Sequence, residues 1–185
     1  MTKDRPFASL TPGLRSAWLG LGLALLTMLY GQGLGIFFGL NEEAIQNRLK
    51  VSAAEVRLTA YQGDEAAIKV VLGNSWNFIR RAHLHAGGMG TTAFALMIVV
   101  GLMNIPRLAA GLIGIGLGAG GLGYSVFWMW AGLRAPGLGS TKAAKESLKW
   151  LAMPSSGAFV LATLAVLILL IAALVSRPQP GAPSD

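Results

Sequence analysis

The sequence predicts an all-α integral membrane protein: a bundle of four transmembrane helices with short amphipathic helices in the first loop. Two observations predict this fold class. Of 185 residues, 54% are hydrophobic and only 12% are charged, whereas a typical soluble domain has about 25% charged residues. Four apolar runs are also long enough to be spans, because a helix needs about 20 apolar residues to cross a hydrocarbon core of about 30 Å. The whole chain, 1–185, is therefore expected to form a single membrane domain.

The four predicted spans are separated by connections of very different length. A tight turn joins the second and third spans, because Pro106 suits the first turn of the following helix. A segment with a turn and a short basic helix joins the third span to the fourth. The proline-rich end of the chain, 177–185, is predicted to be a disordered tail. The spans are residues 14–40, 83–105, 107–133 and 151–175.

The first loop, residues 41–82, is long and polar but has the pattern of helices. Asn41, which precedes two glutamates, and Asp64 are residue types that cap helix N-termini. The first amphipathic helix is expected to end near Gly63, and residues 73–75 are expected to break the second. These helices are predicted to lie along the membrane interface or to cover the end of the bundle.

The charge distribution limits the classes of function. The net charge of +7 comes from residues outside the spans, where Lys and Arg contact the lipid headgroups of the bilayer. Because these residues are scattered among short segments, they do not predict nucleic-acid binding. No Asp, Glu, Lys or Arg lies at the centre of a span, which argues against a proton or ion relay. Acids and histidines form no hydrolytic cluster, so an enzyme is the less favoured class.

The basic residues also bear on orientation. The first and third loops carry ten of the fifteen Lys and Arg residues, and the positive-inside rule places such loops in the cytoplasm. Lys3, Arg5 and Arg15, which lie before or at the start of the first span, oppose that orientation. The chain is predicted to cross the membrane four times, with both termini on one side.

Glycines line two of the predicted spans. Gly31, Gly35 and Gly39 are spaced four apart in the first span, and seven glycines lie between positions 111 and 123 in the third. Small residues at such spacing let helix backbones approach closely, either within the chain or in a homo-oligomer or larger membrane complex. Alternatively, the glycines leave a slot for a flat ligand such as a porphyrin or quinone ring.

Two histidines, the only ones in the chain, stand at the mouth of the second span. His83 and His85 follow Arg80 and Arg81, and histidine inside a membrane is costly enough to mark a candidate functional site. Residues two apart on a helix point about 200° apart, so the two imidazoles cannot bind one metal ion from a regular helix. One histidine is therefore expected to matter more than the other.

The first candidate ligand is haem b. His83 lies above Gly87 and Gly90, a groove that could accept the face of a haem. Arg80 and Arg81, one turn back, could pair with haem propionates or with lipid phosphates. The absence of cysteine excludes disulfides, thiolate metal sites and covalently attached haem, but it leaves non-covalent haem open.

The second candidate ligand is copper. His85 shares a helix face with Met89, and histidine with methionine is a soft ligand set that suits copper(I) or haem iron. The alternative to both cofactors is that the two histidines are interfacial side chains, which reach lipid headgroups or cap neighbouring helices and bind nothing.

The stretch from Arg80 to Gly90, with Ala-His-Leu-His-Ala followed by glycines, resembles the second span of small uncharacterised bacterial four-helix membrane proteins. It is also distantly similar to the haem-ligand helix of haem-copper oxidase catalytic subunits, where an arginine precedes a histidine by a few residues. This resemblance implies a bacterial inner (cytoplasmic) membrane protein in which His83 or His85 binds a haem. The further histidines of the oxidase's second haem and copper site have no counterpart here, so reduction of oxygen or nitric oxide is not implied.

Two hypotheses of function follow from the sequence. In the first, the protein is a haem- or metal-binding accessory of a respiratory or redox system, with His83, His85, Met89, Arg80 and Arg81 as candidate site residues. In the second, it is a non-catalytic membrane scaffold or interaction subunit with no cofactor.

Overall fold

Helices make up the regular structure of the computed structural model, which describes residues 12–103 and 105–175. The elements in chain order are α1 (Pro12–Ser16), α2 (Trp18–Glu55), α3 (Glu65–Leu102), α4 (Arg107–Arg134), a 3-10 turn (Pro136–Leu138), α5 (Thr141–Glu146) and α6 (Lys149–Val175). Four of these helices, α2, α3, α4 and α6, are long and apolar enough to cross a membrane. The predicted all-α fold of a multi-pass membrane protein is confirmed. The tail predicted at 177–185 lies outside the described residues.

The polar first loop consists mostly of extensions of the two helices that flank it. Helices α2 and α3 contain 38 residues each, which is about 57 Å at 1.5 Å per residue, whereas a bilayer core is about 30 Å thick. Each helix therefore continues well beyond the length needed for a span. The helices predicted between residues 41 and 82 are present, and they are continuous with the spans rather than separate from them.

Of the two helix boundaries predicted inside this loop, one is present and one is wrong. Two helical segments meet at a kink at Asn41 (φ −129°, ψ 18°), but the Asn41 side chain does not cap the second segment; its Nδ2 donates to the Phe37 carbonyl at 3.0 Å. Helix α3 runs unbroken through residues 73–75, where the Ser75 hydroxyl donates to the Val71 carbonyl at 2.7 Å. Ser75 is fully buried, so packing of this segment outweighs the cost of about 1 kcal/mol for a glycine in a helix.

The two basic loops pack together into a helical cap (residues 42–81 and 135–148) at one end of the bundle. The buried Tyr61 hydroxyl donates to the Pro136 carbonyl at 2.8 Å, which ties the first loop to the third. Asp64 caps α3 as predicted, by accepting from two backbone amides, and Ser140 caps α5. A small apolar core within the cap consists of Ala53, Tyr61, Val71, Ala135 and Ala144.

Glycines set the distances between the membrane helices. Helices α2 and α4 meet at Gly20 and Gly114, where a Cβ on either glycine would lie 2.6–2.7 Å from the Cα of the other. Helix α4 meets α6 in the same way, because a Cβ on Gly120 would lie 2.8 Å from the Ser155 carbonyl oxygen. The glycines of α4 therefore admit neighbouring backbones, and at these positions no slot remains for a flat ligand.

Helix α6 lies at the periphery of the bundle. It packs mainly on α4, and its buried residues are Ala162 and Val166. Most of its leucine and isoleucine side chains are exposed, among them Leu161, Ile168 and Leu174. In a membrane this apolar surface would face lipid or another protein.

Candidate functional site

His83 lies where α3 crosses α2, with its ring against the backbone of that helix. Its Nδ1 atom is 2.7 Å from the Gly31 carbonyl oxygen. Because a carbonyl only accepts hydrogen bonds, Nδ1 carries the proton in this pair, and the tautomer that fits this contact has its lone pair on Nε2. The side chain is half-buried. The structure therefore holds His83 in one tautomer, with Nε2 as the nitrogen that could ligate.

The glycine face of α2 makes room for this histidine. A Cβ on Gly35 would lie 2.8 Å from the imidazole Cε1, and a Cβ on Gly31 would lie 2.8 Å from the Gly87 amide nitrogen. Gly31 and Gly35 thus face α3 closely, as expected of glycines that admit a neighbouring helix. Gly39 does not, because a Cβ there would meet nothing within 4 Å; this glycine lies at the edge of an open cleft.

The groove predicted over the glycines below His83 is filled by α2 at Gly90. A Cβ on Gly90 would lie 2.8 Å from the Cγ of Met28 and 2.9 Å from its backbone nitrogen, whereas a Cβ on Gly87 would meet nothing within 4 Å. The predicted haem face therefore does not fit against Gly90. The physical reason is that small residues which would admit a flat ring also admit a helix backbone, and here the helix occupies the space.

An open cleft of about 500 Å³ lies beside His83, toward the cap. Its polar walls are formed by His83, Arg80 and Glu42. Phe38 and Trp76 meet edge to face, with ring centroids 6.0 Å apart, and supply an apolar wall. The volume is within the range of small-molecule sites, roughly 300–1,000 Å³. The complete lining is Gly35, Phe38, Gly39, Glu42, Trp76, Arg80, His83 and Leu84.

Sequence reasoning missed part of this wall. Trp76, Arg80 and His83 are spaced four and three apart, which is the spacing of one helix face, so the tryptophan could have been found from the pattern. Glu42 and Phe38 belong to α2, and the sequence does not specify where α2 crosses α3. Glu42 joins the cleft because helix continues past the kink at Asn41, whereas Phe38 lies before the kink.

A larger cleft of about 770 Å³ lies farther into the cap, between the same two helices, and shares the Trp76 wall. Arg57 and Glu65 stand on its rim and form an ion pair at 2.6 Å. Both side chains are mostly exposed, so the pair contributes little to stability. No histidine lines this outer cleft, which leaves the cleft at His83 as the candidate for a ligated cofactor.

His85 lies on the opposite side of α3, among aromatic rings of α4. Its ring centroid is 5.1 Å from that of Tyr124 and 5.9 Å from that of Trp128, and the latter pair is stacked at 28°. Met89 follows on the same face and packs against α4, because a Cβ on Gly121 would lie 3.2 Å from the Met89 Cβ. His85 and Met89 thus share a face as predicted, and α4 covers that face.

Like the two histidines, Arg80 and Arg81 lie on opposite faces of α3. Arg80 lines the cleft beside His83, whereas the guanidinium carbon of Arg81 lies 5.0 Å from the ring centroid of Trp128. The five predicted site residues therefore form two sets on opposite faces of α3, as the angle of about 200° between residues two apart requires. Within residues 12–103 and 105–175, no group of three or more His, Asp or Glu residues could hold a metal ion.

Comparison of the chain with protein-family models, with curated proteins and with solved structures finds no match. The likeness of the histidine-bearing segment to other membrane proteins therefore stays a prediction, and the roles proposed below rest on the geometry of the two faces of α3.

Proposed function

We propose that this integral membrane protein holds a haem b at the Arg80–His83 cleft, as an accessory of a respiratory or redox system in a bacterial inner membrane. The observation that carries the proposal is the hydrogen bond from His83 Nδ1 to the Gly31 carbonyl. Metal-ligating histidines almost always donate their second ring N–H to a carbonyl, carboxylate or water, which fixes the tautomer and leaves the other nitrogen for the metal. His83 has this arrangement.

The surroundings of His83 suit a flat apolar ligand that carries carboxylates. Arg80 stands one turn away on the same wall, where its guanidinium could pair with a propionate. Phe38 and Trp76 supply an apolar wall, and Gly39 leaves space beside them. Because the cleft is open, part of the ring would lie outside the chain. A bound haem would supply one-electron chemistry; the chain would supply His83 Nε2 and the Arg80 guanidinium to hold it.

Copper is the other cofactor that the sequence favours, with His85 and Met89 as its pair. Both side chains lie on the face that α4 covers, and the His85 ring is in contact with Tyr124 and Trp128. The His83 ring instead borders an open cleft. Of the two histidines, His83 is therefore the better placed to receive a ligand, and haem is the better-supported cofactor.

The test is the absorbance spectrum and metal content of the detergent-purified protein from cells supplied with haem and copper. We expect a Soret band that is lost in His83→Gly and restored when free imidazole is added, because imidazole can enter the space left by the side chain. His85→Ala and Met89→Leu serve as matched controls on the opposite face and should keep the band. Arg80→Gln should weaken haem retention without removing the band.

Two results would overturn the proposal. Protein that is colourless and metal-free under these conditions would leave His83 without a cofactor. A Soret band that is lost equally in His83→Gly and His85→Ala would mean that the band does not depend on ligation by His83. Melting temperatures of the same variants in detergent show whether each variant is still folded.

The second candidate function is a scaffold or interaction subunit without cofactor. The observation that favours it is the exposed apolar surface of α6, where only Ala162 and Val166 are buried. Helices of the same chain occupy most of the α4 glycines, and we propose α6 as the surface that a homo-oligomer or larger complex would use. Mass measurement of the detergent-solubilised protein by light scattering tests this, and the double substitution Leu161→Ala and Ile168→Ala should dissociate such an assembly.

A further inference from the structure

Two cations converge on one aromatic ring at the α4 side of α3. The guanidinium carbon of Arg81 lies 5.7 Å from the ring centroid of Phe78, and the ammonium nitrogen of Lys145, on α5, lies 5.8 Å from the same centroid. Arg81 also lies 5.0 Å from the Trp128 centroid, and Phe78 and Trp128 pack edge to face. We call these four residues, Phe78, Arg81, Trp128 and Lys145, the aromatic corner.

Neither cation of the aromatic corner has an acidic partner among the residues that the structure describes. Within the described part of the chain, ion pairs join Arg57 to Glu65 and Lys149 to Glu146. The acid of α5, Glu146, is therefore paired with Lys149. Each charge lies within 5.8 Å of the same centroid, so an anion bound beside the ring would be attracted by both. Both side chains are exposed, so an anion from outside the chain can reach them.

The aromatic corner lies at the depth of the membrane interface. The apolar run of α3 begins at His83, two residues after Arg81, and α6 begins at Lys149, four residues after Lys145. The headgroup layer on each side of a bilayer core is about 5–7 Å thick, about one turn of helix. Trp128 has the position of an interfacial aromatic residue. Both cations therefore lie within reach of lipid phosphates.

We infer that the aromatic corner binds the headgroup of one anionic phospholipid, with the phosphate between Arg81 and Lys145. A guanidinium can hold two phosphate oxygens in bidentate geometry, and the ammonium adds a point charge. A lipid is favoured over a soluble phosphate because the corner adjoins the hydrocarbon core, where acyl chains can lie along α4 and α6. Anionic lipids are concentrated in the cytoplasmic leaflet, which agrees with the orientation predicted from the basic loops.

The experiment is native mass spectrometry of the detergent-purified chain titrated with phosphatidylglycerol or with phosphatidylcholine of the same acyl chains. We expect one phosphatidylglycerol per chain to bind in preference to phosphatidylcholine. Arg81→Gln and Lys145→Gln should each weaken this binding about fivefold, which corresponds to about 1 kcal/mol per basic residue at a membrane surface. Lys69→Gln and Lys142→Gln each remove one positive charge from the same two helices outside the corner, and they should alter binding less than about twofold.

A third variant separates the aromatic corner from simple charge attraction. Phe78→Leu keeps both cations but removes the ring that they share, so the preference for phosphatidylglycerol should fall. Its melting temperature in lipid-free detergent shows whether the chain remains folded, and Phe78→Tyr retains a ring if the leucine variant does not fold. Equal losses in the control variants, equal binding of the two lipids, or displacement by inorganic phosphate at the concentration of the lipid would each overturn the inference.

Discussion

The two faces of α3 differ in what meets them, although their histidines are only two residues apart. On the α2 face, a backbone carbonyl accepts a hydrogen bond from His83, and a glycine makes room for the ring. On the α4 face, aromatic rings surround His85, and a cation stacks above them. The first environment is polar and directional, whereas the second is apolar and tolerant of shape.

This difference indicates which face has specific chemistry. A hydrogen bond to a fixed carbonyl selects one tautomer and one ring orientation, as a ligating histidine requires. Contacts among aromatic rings select only a flat side chain, because ring packing depends on area and quadrupole rather than on a donor. We therefore expect substitutions on the α2 face to destabilise the protein more than substitutions on the α4 face.

The largest expected effect is at Gly35, which separates α2 from the His83 ring. Gly35→Leu should lower the free energy of unfolding by about 1–3 kcal/mol, because a side chain there overfills a packed contact. A Cβ alone would already lie 2.8 Å from the imidazole Cε1. The measurement is the melting temperature of the purified protein in detergent.

Gly39→Leu is the matched control for this substitution, one turn along the same helix. A side chain at Gly39 would enter open space, and leucine has a better helix propensity than glycine by almost 1 kcal/mol. The melting temperature should therefore stay the same or rise. Equal destabilisation by both variants would mean that helix flexibility, and not the His83 contact, requires glycine on this face.

The histidines themselves give the next largest effect. His83→Phe should destabilise the chain by about 0.5–1.5 kcal/mol through loss of the hydrogen bond to Gly31, with a further cost because the larger ring is confined beside Gly35. His85→Phe should be neutral or slightly stabilising, because phenylalanine can pack among Tyr124 and Trp128 without burying a polar ring. Thermal unfolding of the two variants checks this. If His85→Phe proves the more damaging, the polar and apolar faces have been assigned the wrong way round.

The sequence was sufficient to predict the four membrane helices and the separation of His83 from His85, but the expectation that only one histidine faces the bundle is wrong, because both pack against neighbouring helices. Both successful predictions depend on local quantities: the length of apolar runs and the rotation of 100° per residue in a helix. The N-cap of α3 at Asp64 was predictable for the same reason, because the Asp64 side chain accepts hydrogen bonds from backbone amides two and three residues later.

The unbroken course of α3 through residues 73–75 was not predictable from local signals. Gly73 disfavours a helix by about 1 kcal/mol, and contacts distant in sequence, such as the close approach of Gly132 to the Ser75 carbonyl oxygen, outweigh that cost. The glycine groove at Gly90 failed as a prediction for a similar reason. Met28 of α2 fills the space beside Gly90, and the sequence does not specify that these two residues meet.

The smallest expected effect concerns the two arginines, which extend the contrast between the faces to the membrane surface. Arg81→Gln should lower the free energy of unfolding by about 0.5–1 kcal/mol in lipid-free detergent, because the side chain lies over Trp128 and Phe78 and loses its cation–aromatic attraction. Arg80→Gln should change it little, because this exposed side chain has neither an aromatic ring beneath it nor an ion pair among the described residues. A double-mutant cycle of Arg81→Gln with Trp128→Leu isolates the pairwise contribution, since the two residues are in contact. Additive losses in that cycle would mean that Arg81 stabilises the chain through its charge alone, and the α4 face would then have no specific partner for it.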